Sequence, residues 1–318
     1  MPTLLISYTL PEPSIRSLAN HFRLIYPTDK PSFSREEILS HVVEADAYLA
    51  VNTKVDREVI DRGERLKIIA NYGAGYDDID ADYAASRDIP VTNTPTAVTE
   101  ATAEIAFGLM LSLLRNITFC DRQLRHNKDF VWGMLKAHTG HSLYGKTLGL
   151  IGLGRIGRAV ARRAIVSGMK VIYHQRHPLF PAVEREVGAK YYELNALLAE
   201  ADIVSLHVPL TDSTRHLIGA SQLHQMKPSA YLINTARGPV VDQAALIHHI
   251  QEGRLAGAGL DVFAEEPYVP DALLAMDRVV LTPHIGTETI EARIAMATEA
   301  ERNLVAFFNG ERPPNVVN

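Results

Sequence analysis

Cysteine and tryptophan each occur once in the 318 residues. A single thiol, Cys120, excludes an intramolecular disulfide framework and fits a reducing compartment. It reads as a buried small residue on a helix rather than as a nucleophile. No run of about 18 apolar residues occurs, so no transmembrane helix is expected. The opening MPTLLISYTLPEPS has no basic lead and too short an apolar run for a signal peptide. The expectation is a cytoplasmic protein. Positive charge is not in surplus either. The formal net charge is -5, which gives no general attraction to nucleic acid or to an anionic membrane. Internal repeats and low-complexity tracts are lacking. The thirteen histidines include HLIGASQLH and the pair His248–His249, but no carboxylates stand beside them at ligand spacing. They read as solvated, and no metal is expected.

What remains is an ordinary globular composition, 47% apolar and 22% charged, with length enough for two domains. The first hundred residues alternate short apolar runs with helical spacing. TLLIS (3–7), RLIY (23–26), AYLAV (47–51), LKIIAN (66–71) and IPVTN (89–93) read as strands of a buried parallel sheet. REEILSHVVEA and DREVIDRGE read as helices between them. One long helix is expected over 99–127, apolar on several faces in its first half and so buried in a domain or an interface. Glu100 and Glu104 suit its start.

A second α/β unit follows. KTLGLIGLG, KVIYH, ADIVSLHV, AYLINTA, LAGAGLDVF and DRVVLTPH supply strands. IEARIAMATEAERNLVAFFN closes the chain as a helix. At its head stands Gly152-x-Gly154-x-x-Gly157, between an apolar strand and a helix that begins Arg155-Ile156. In that context the triplet reads as a dinucleotide phosphate loop. Two glycines permit the turn and the approach of backbone to pyrophosphate, and the third lets the helix pack on the strand.

One further absence is informative. The tip of the next strand, where an acid would bind the ribose hydroxyls of NAD, contains no Asp or Glu. It reads Tyr173-His174-Gln175-Arg176-His177. A neutral Gln175 removes repulsion of a 2′-phosphate, and Arg176 with His177 supplies charge and donors to one. The expected cofactor is NADP(H), with NAD as the alternative.

Ligands of open α/β sheets gather beyond the carboxyl ends of the strands. Arg237 follows AYLINTA, Glu265 and Glu266 follow LAGAGLDVF, and His284 follows RVVLTP. A guanidinium, a carboxylate and an imidazole therefore emerge at the edge that carries the phosphate loop.

At this point the sequence resembles the D-isomer-specific 2-hydroxyacid dehydrogenases along essentially its whole length. The matching stretches are NYGAGYDDID, NTPTAVTEATAE, GKTLGLIGLGRIG, HVPLTDSTRHLI, INTARG, GLDVFAEEP and TPHIG. The resemblance implies Arg237, Glu266 and His284 as catalytic residues, with Glu266 preferred to Glu265 because the family's Glu precedes the Pro. It implies a substrate carboxylate held by Arg237 and by backbone N–H groups of Ala74 and Gly75. Cofactor contacts are implied from Pro209, Thr235, Ala236 and Asp261, the last through the nicotinamide carboxamide. It further implies two doubly wound parallel-sheet domains, a flavodoxin-like substrate domain (1–98 plus 286–318) with an inserted Rossmann dinucleotide-binding domain (99–285). Hinges are expected near 98 and 286. The missing acid resembles the NADPH-preferring glyoxylate and hydroxypyruvate reductases. The expected activity is reduction of a small 2-oxo acid to the D-2-hydroxy acid, and the expected partner a second copy in a homodimer. An NAD-linked D-lactate-type enzyme is one alternative, and a non-enzymatic dinucleotide-sensing corepressor another. Trp132 reads equally as a pocket residue or an interface residue.

Overall fold

The computed structural model describes residues 1–126 and 139–318; Trp132 lies outside them. The chain divides into two compact units, Met1–Val98 with Thr287–Asn318, and Thr99–Gly286.

The first unit is built on five strands: β1 (Thr3–Ile6), β2 (Arg23–Ile25), β3 (Ala47–Ala50), β4 (Ile68–Asn71) and β5 (Val91–Thr92). All pair in parallel, in the order β2-β1-β3-β4-β5. That order is the flavodoxin-like one, with its switch point between β1 and β3. β1, β3 and β4 are buried along their whole length, as the uninterrupted apolar runs require of strands covered on both faces. Leu5, Tyr48, Ile69 and Val91 meet Val59 and Ile60 of the helix Arg57–Arg62 in one core. Local chemistry punctuates the elements. Ser34 and Glu37 form a reciprocal capping box at the start of Arg35–His41, and Asp56 and Asp80 cap the next two helices. The helix Ile290–Phe308, capped by Thr289, completes this unit.

The second unit carries seven parallel strands: β6 (Thr147–Ile151), β7 (Lys170–His174), β8 (Ala189–Tyr191), β9 (Ile203–Leu206), β10 (Tyr231–Asn234), β11 (Gly257–Leu260) and β12 (Val279–Leu281). Their order is β12-β11-β10-β9-β6-β7-β8. The chain runs outward from β6 in one direction and then restarts at β9 in the other. The crevice of a doubly wound sheet therefore opens above β6 and β9. Side chains alternate between two cores. Leu148 and Leu150 pack with Ala103, Leu109 and Val160. Ile151, Val204 and Leu232 pack with Leu197 and Leu246.

Two expectations about helices change. The segment expected as one helix over 99–127 is two, Thr99–Leu114 and Ile117–His126, bent by 63°. Asn116 sits at the break with φ 54°, a left-handed conformation that Asn tolerates better than most residues. The first helix is buried within its own unit, while the second buries no residue. Cys120 lies on the second, so it is half-buried rather than buried. No single described helix is long and apolar enough to cross a membrane.

Candidate active site

The glycine loop follows β6. Gly152 has φ 94°, and a side chain there would come within 2.5 Å of the His207 carbonyl oxygen. A side chain at Gly157 would lie 2.2 Å from the Gly152 carbonyl oxygen. The chain itself therefore demands these two glycines. Gly154 differs, because a Cβ there would meet no protein atom within 4 Å. It is exposed and caps the helix Arg155–Val166, whose first turn carries no acid. Helix-start N–H groups and the positive end of the dipole thus face an open side that a Cβ would narrow, as an anion cradle requires. Arg155 is exposed there, and Ile156 is half-buried.

Gln175, just past β7, closes the loop from the other side. Its Oε1 accepts from the Leu153 N–H at 3.3 Å, and its Nε2 donates to the His177 carbonyl at 2.7 Å. Arg176 and His177 are exposed beside it.

Beyond β9, His207 is half-buried, and burial of its ring lowers the pKa to about 4. The imidazole is neutral near pH 7, 2.9 Å from the Ser205 hydroxyl. Pro209 is exposed, and its carbonyl accepts from Thr214 at 2.6 Å. Beyond β10, Thr235 has a buried hydroxyl without a partner among the described residues. An orphaned hydroxyl and an open glycine cradle at one sheet edge fit a polar ligand of dinucleotide type.

Arg237 stands on a turn that Asn234 organises. The Asn234 amide, 1% exposed, accepts from the Ala236 N–H at 3.0 Å and donates to the Arg237 carbonyl at 2.9 Å. Gly238 then passes so close to the next loop that a Cβ would lie 1.8 Å from the Phe263 carbonyl oxygen. This contact seats the Arg237 turn against the segment that leads to Glu266. Glu266 Oε1 accepts from the Phe263 N–H at 3.0 Å, and its Oε2 lies 2.6 Å from His284 Nδ1. Glu265 accepts from the Tyr268 N–H at 2.8 Å through its backbone carbonyl. Burial pushes the Glu266 carboxyl up, but the hydrogen bond and charge of His284, the Phe263 N–H and the charge of Arg237 together hold it below its usual value.

His284 has φ 53°, a left-handed conformation that costs on the order of 1 kcal/mol for such a residue. Asp261 offsets that cost. Its Oδ1 accepts from the Thr282 hydroxyl at 2.6 Å and the Ile285 N–H at 2.8 Å; its Oδ2 accepts from the Gly286 N–H at 2.8 Å. Its carbonyl accepts from the His284 N–H at 2.8 Å. Asp261 is 1% exposed, and burial raises its pKa despite these donors and the charge of His284. The 282–286 loop thus takes three acceptor positions of this carboxylate and so holds His284 in place, and Oδ2, which accepts from the Gly286 N–H, keeps a second acceptor position.

In the first unit, Ala74 and Gly75 follow β4. The carbonyl of Gly73 accepts from Asn71 Nδ2 and from the Thr94 N–H, each at 2.9 Å. Those of Ala74 and Gly75 accept from Asn93 Nδ2 at 2.8 Å and Asn71 Nδ2 at 2.9 Å.

Comparison with known proteins gives the family. Residues 107–286 match the NAD binding domain of the D-isomer specific 2-hydroxyacid dehydrogenases. The glyoxylate reductase of Thermococcus litoralis is 46% identical over all of this chain and 97% of its own length. This chain belongs to the D-isomer specific 2-hydroxyacid dehydrogenase family. Among solved structures, the NADPH-dependent glyoxylate/hydroxypyruvate reductase of Sinorhizobium meliloti, determined with NADP and malonate, superposes with a TM-score of 0.87. It is 33% identical, over 99% of this chain and 96% of that one. The D-lactate dehydrogenase of Aquifex aeolicus, determined with NAD and lactic acid, gives 0.86 at 29% identity, over 99% of each chain. As a member of this dehydrogenase family the chain is an NAD(P)-dependent enzyme.

Asn71, Asn93 and Asn234 escaped the sequence reading. Each acts through hydrogen bonds to a turn, and the only signal was an Asn at or just after a strand end. His249 departs from its reading as solvated. It is 5% exposed, and its Nδ1 lies 2.8 Å from the Ala245 carbonyl oxygen of its own helix.

Proposed function

We propose that this enzyme uses NADPH to reduce a small 2-oxo acid, glyoxylate or hydroxypyruvate, to the D-2-hydroxy acid. The observation that carries the reading is the His284–Glu266 pair, with Arg237 near it, at the same sheet edge as the glycine loop. When bound, the reduced nicotinamide supplies the hydride for the carbonyl carbon. With Nδ1 committed to Glu266, His284 keeps Nε2, which meets no partner among the described residues, to give a proton to the carbonyl oxygen. Glu266 stabilises the charged imidazole and fixes its orientation. Arg237 holds the substrate carboxylate and favours negative charge developing on the neighbouring oxygen. Ala74 and Gly75 hold the carboxylate through their N–H groups. In the oxidative direction a neutral His284 takes the proton back.

Gly152, Gly154, Arg155, Ile156 and Gly157 would hold the pyrophosphate; Pro209, Thr235 and Ala236 would line the nicotinamide side. Gln175 brings no negative charge to the adenosine ribose, and Arg176 and His177 would meet a 2′-phosphate. Met1–Val98 with Thr287–Asn318 serves the substrate, and Thr99–Gly286 serves the cofactor. The working form is a homodimer, to which Ile117–His126 offers the half-exposed Ile117 and Leu124.

The test is loss of reduced-nicotinamide absorbance with a panel of 2-oxo acids, using NADPH and NADH in parallel. Faster turnover of glyoxylate or hydroxypyruvate with NADPH supports the reading. A protein that binds cofactor yet reduces none of the panel would point to a sensor, and preference for NADH with pyruvate to a lactate-type enzyme.

A further inference from the structure

Three successive carbonyls after β4 are tied down by side chains. Asn71 Nδ2 takes the carbonyls of Gly73 and Gly75, Asn93 Nδ2 takes that of Ala74, and the Thr94 N–H adds a second bond to Gly73. Both asparagines are nearly buried, at 8% and 9% exposure. Asn93 is itself fixed through its backbone, its N–H on the Asn315 carbonyl and its carbonyl on Asn303 Nδ2, each at 3.1 Å. A peptide plane carries its N–H opposite its C=O. Pulling the carbonyls of residues 73 and 74 to one side therefore turns the N–H groups of residues 74 and 75 to the other. Among the described residues no backbone carbonyl accepts from those two N–H groups. Adjacent N–H groups presented this way form a concavity that takes an anion.

We propose that Asn71, seconded by Asn93, is the positioning residue for the substrate carboxylate. It sets the turn so that the Ala74 and Gly75 N–H groups face the carboxylate, without touching substrate itself. The inference rests on the proposed reading that this turn binds the carboxylate of a 2-oxo acid. It adds that an amide donor on β4 sets the affinity. A free turn would interconvert among orientations, and each binding event would have to order it.

The experiment compares glyoxylate, which has the carboxylate, with methylglyoxal, which presents a similar carbonyl without one. Steady-state constants with NADPH are measured for the wild type, Asn71→Ala and Asn93→Ser, together with NADPH affinity and thermal unfolding. The expected result for Asn71→Ala is a KM for glyoxylate raised 30-fold or more, a kcat within about threefold, and kcat/KM for methylglyoxal within twofold. NADPH affinity, a property of the other unit, should hold within twofold. Asn93→Ser removes one bond and should raise the glyoxylate KM about fivefold with the same selectivity. It carries the test should Asn71→Ala fail to fold. An unchanged ratio of glyoxylate to methylglyoxal in the folded variants overturns the positioning role while leaving the carboxylate reading intact. A wild type that shows no preference for glyoxylate overturns the carboxylate reading itself. Equal losses on both substrates would mark the asparagines as merely structural and also overturn the proposal.

Discussion

His284 Nδ1 lies 2.6 Å from Glu266 Oε2, and the other oxygen of that carboxylate is held by the Phe263 N–H at 3.0 Å. The carboxylate is thus fixed before it fixes the imidazole. Glu266→Gln keeps the shape and removes the charge. We expect kcat for reduction to fall about 100-fold, since the protonated imidazole loses its anionic partner. Steady-state kcat and KM for wild type and variant check this, and a kcat within about threefold of wild type would show that the pair is structural.

The glycines of the phosphate loop should separate stability from binding. Gly154→Ala adds a Cβ where the protein has room. Its unfolding temperature should change little, while NADPH affinity falls tenfold or more. Gly157→Ala drives a Cβ against the Gly152 carbonyl, which is backbone and cannot step aside. It should cost about 2 kcal/mol or more in stability. Calorimetry and fluorescence titration distinguish the two, and equal destabilisation would contradict the assignment.

Cofactor preference should turn on two neighbours. Gln175→Asp places a carboxylate where a 2′-phosphate would lie, and Arg176→Ala removes a cation from it. Each should lower kcat/KM for NADPH about tenfold. Only Gln175→Asp should also improve NADH use. No change in the NADPH-to-NADH ratio for either variant would place the discrimination elsewhere.

His207 predicts an acid-side loss of stability. An unfolded imidazole titrates near the model value 6.5, whereas in the folded chain His207 is lowered to about 4 by burial. Between those values the unfolded chain takes up a proton that the folded chain refuses. The stability it contributes is complete above 6.5 and falls with pH toward 4, by up to about 3 kcal/mol. Urea unfolding of wild type and His207→Asn at both ends of that interval should show the smaller loss in the variant. Parallel losses would contradict the linkage.

Much of this was legible in the sequence, and the remainder has identifiable reasons. Buried parallel strands write themselves as apolar runs, so eleven of the twelve strands among the described residues could be read directly. The exception, β8, is a three-residue edge strand with Lys190 exposed in its middle. The break at Asn116 was hidden because the apolar pattern continues through it while the backbone turns left-handed. His249 misled because its polar neighbours suggested solvent, whereas a bond to its own helix satisfies a buried ring. Chemistry-bearing side chains at strand ends were visible by type and place. Their supports were not. Asn234 and Asn71 bond backbone groups two to four residues on, which an Asn at a strand end does not announce. Asp261, named only for the carboxamide, acts on backbone that becomes its neighbour on folding.

The most direct test of the account is His284→Ala, assayed for both turnover and cofactor affinity. The account predicts that kcat for 2-oxo acid reduction falls by about three orders of magnitude or more while NADPH binds almost as tightly as before. Turnover close to that of the wild type, in a variant that still binds NADPH, would contradict it.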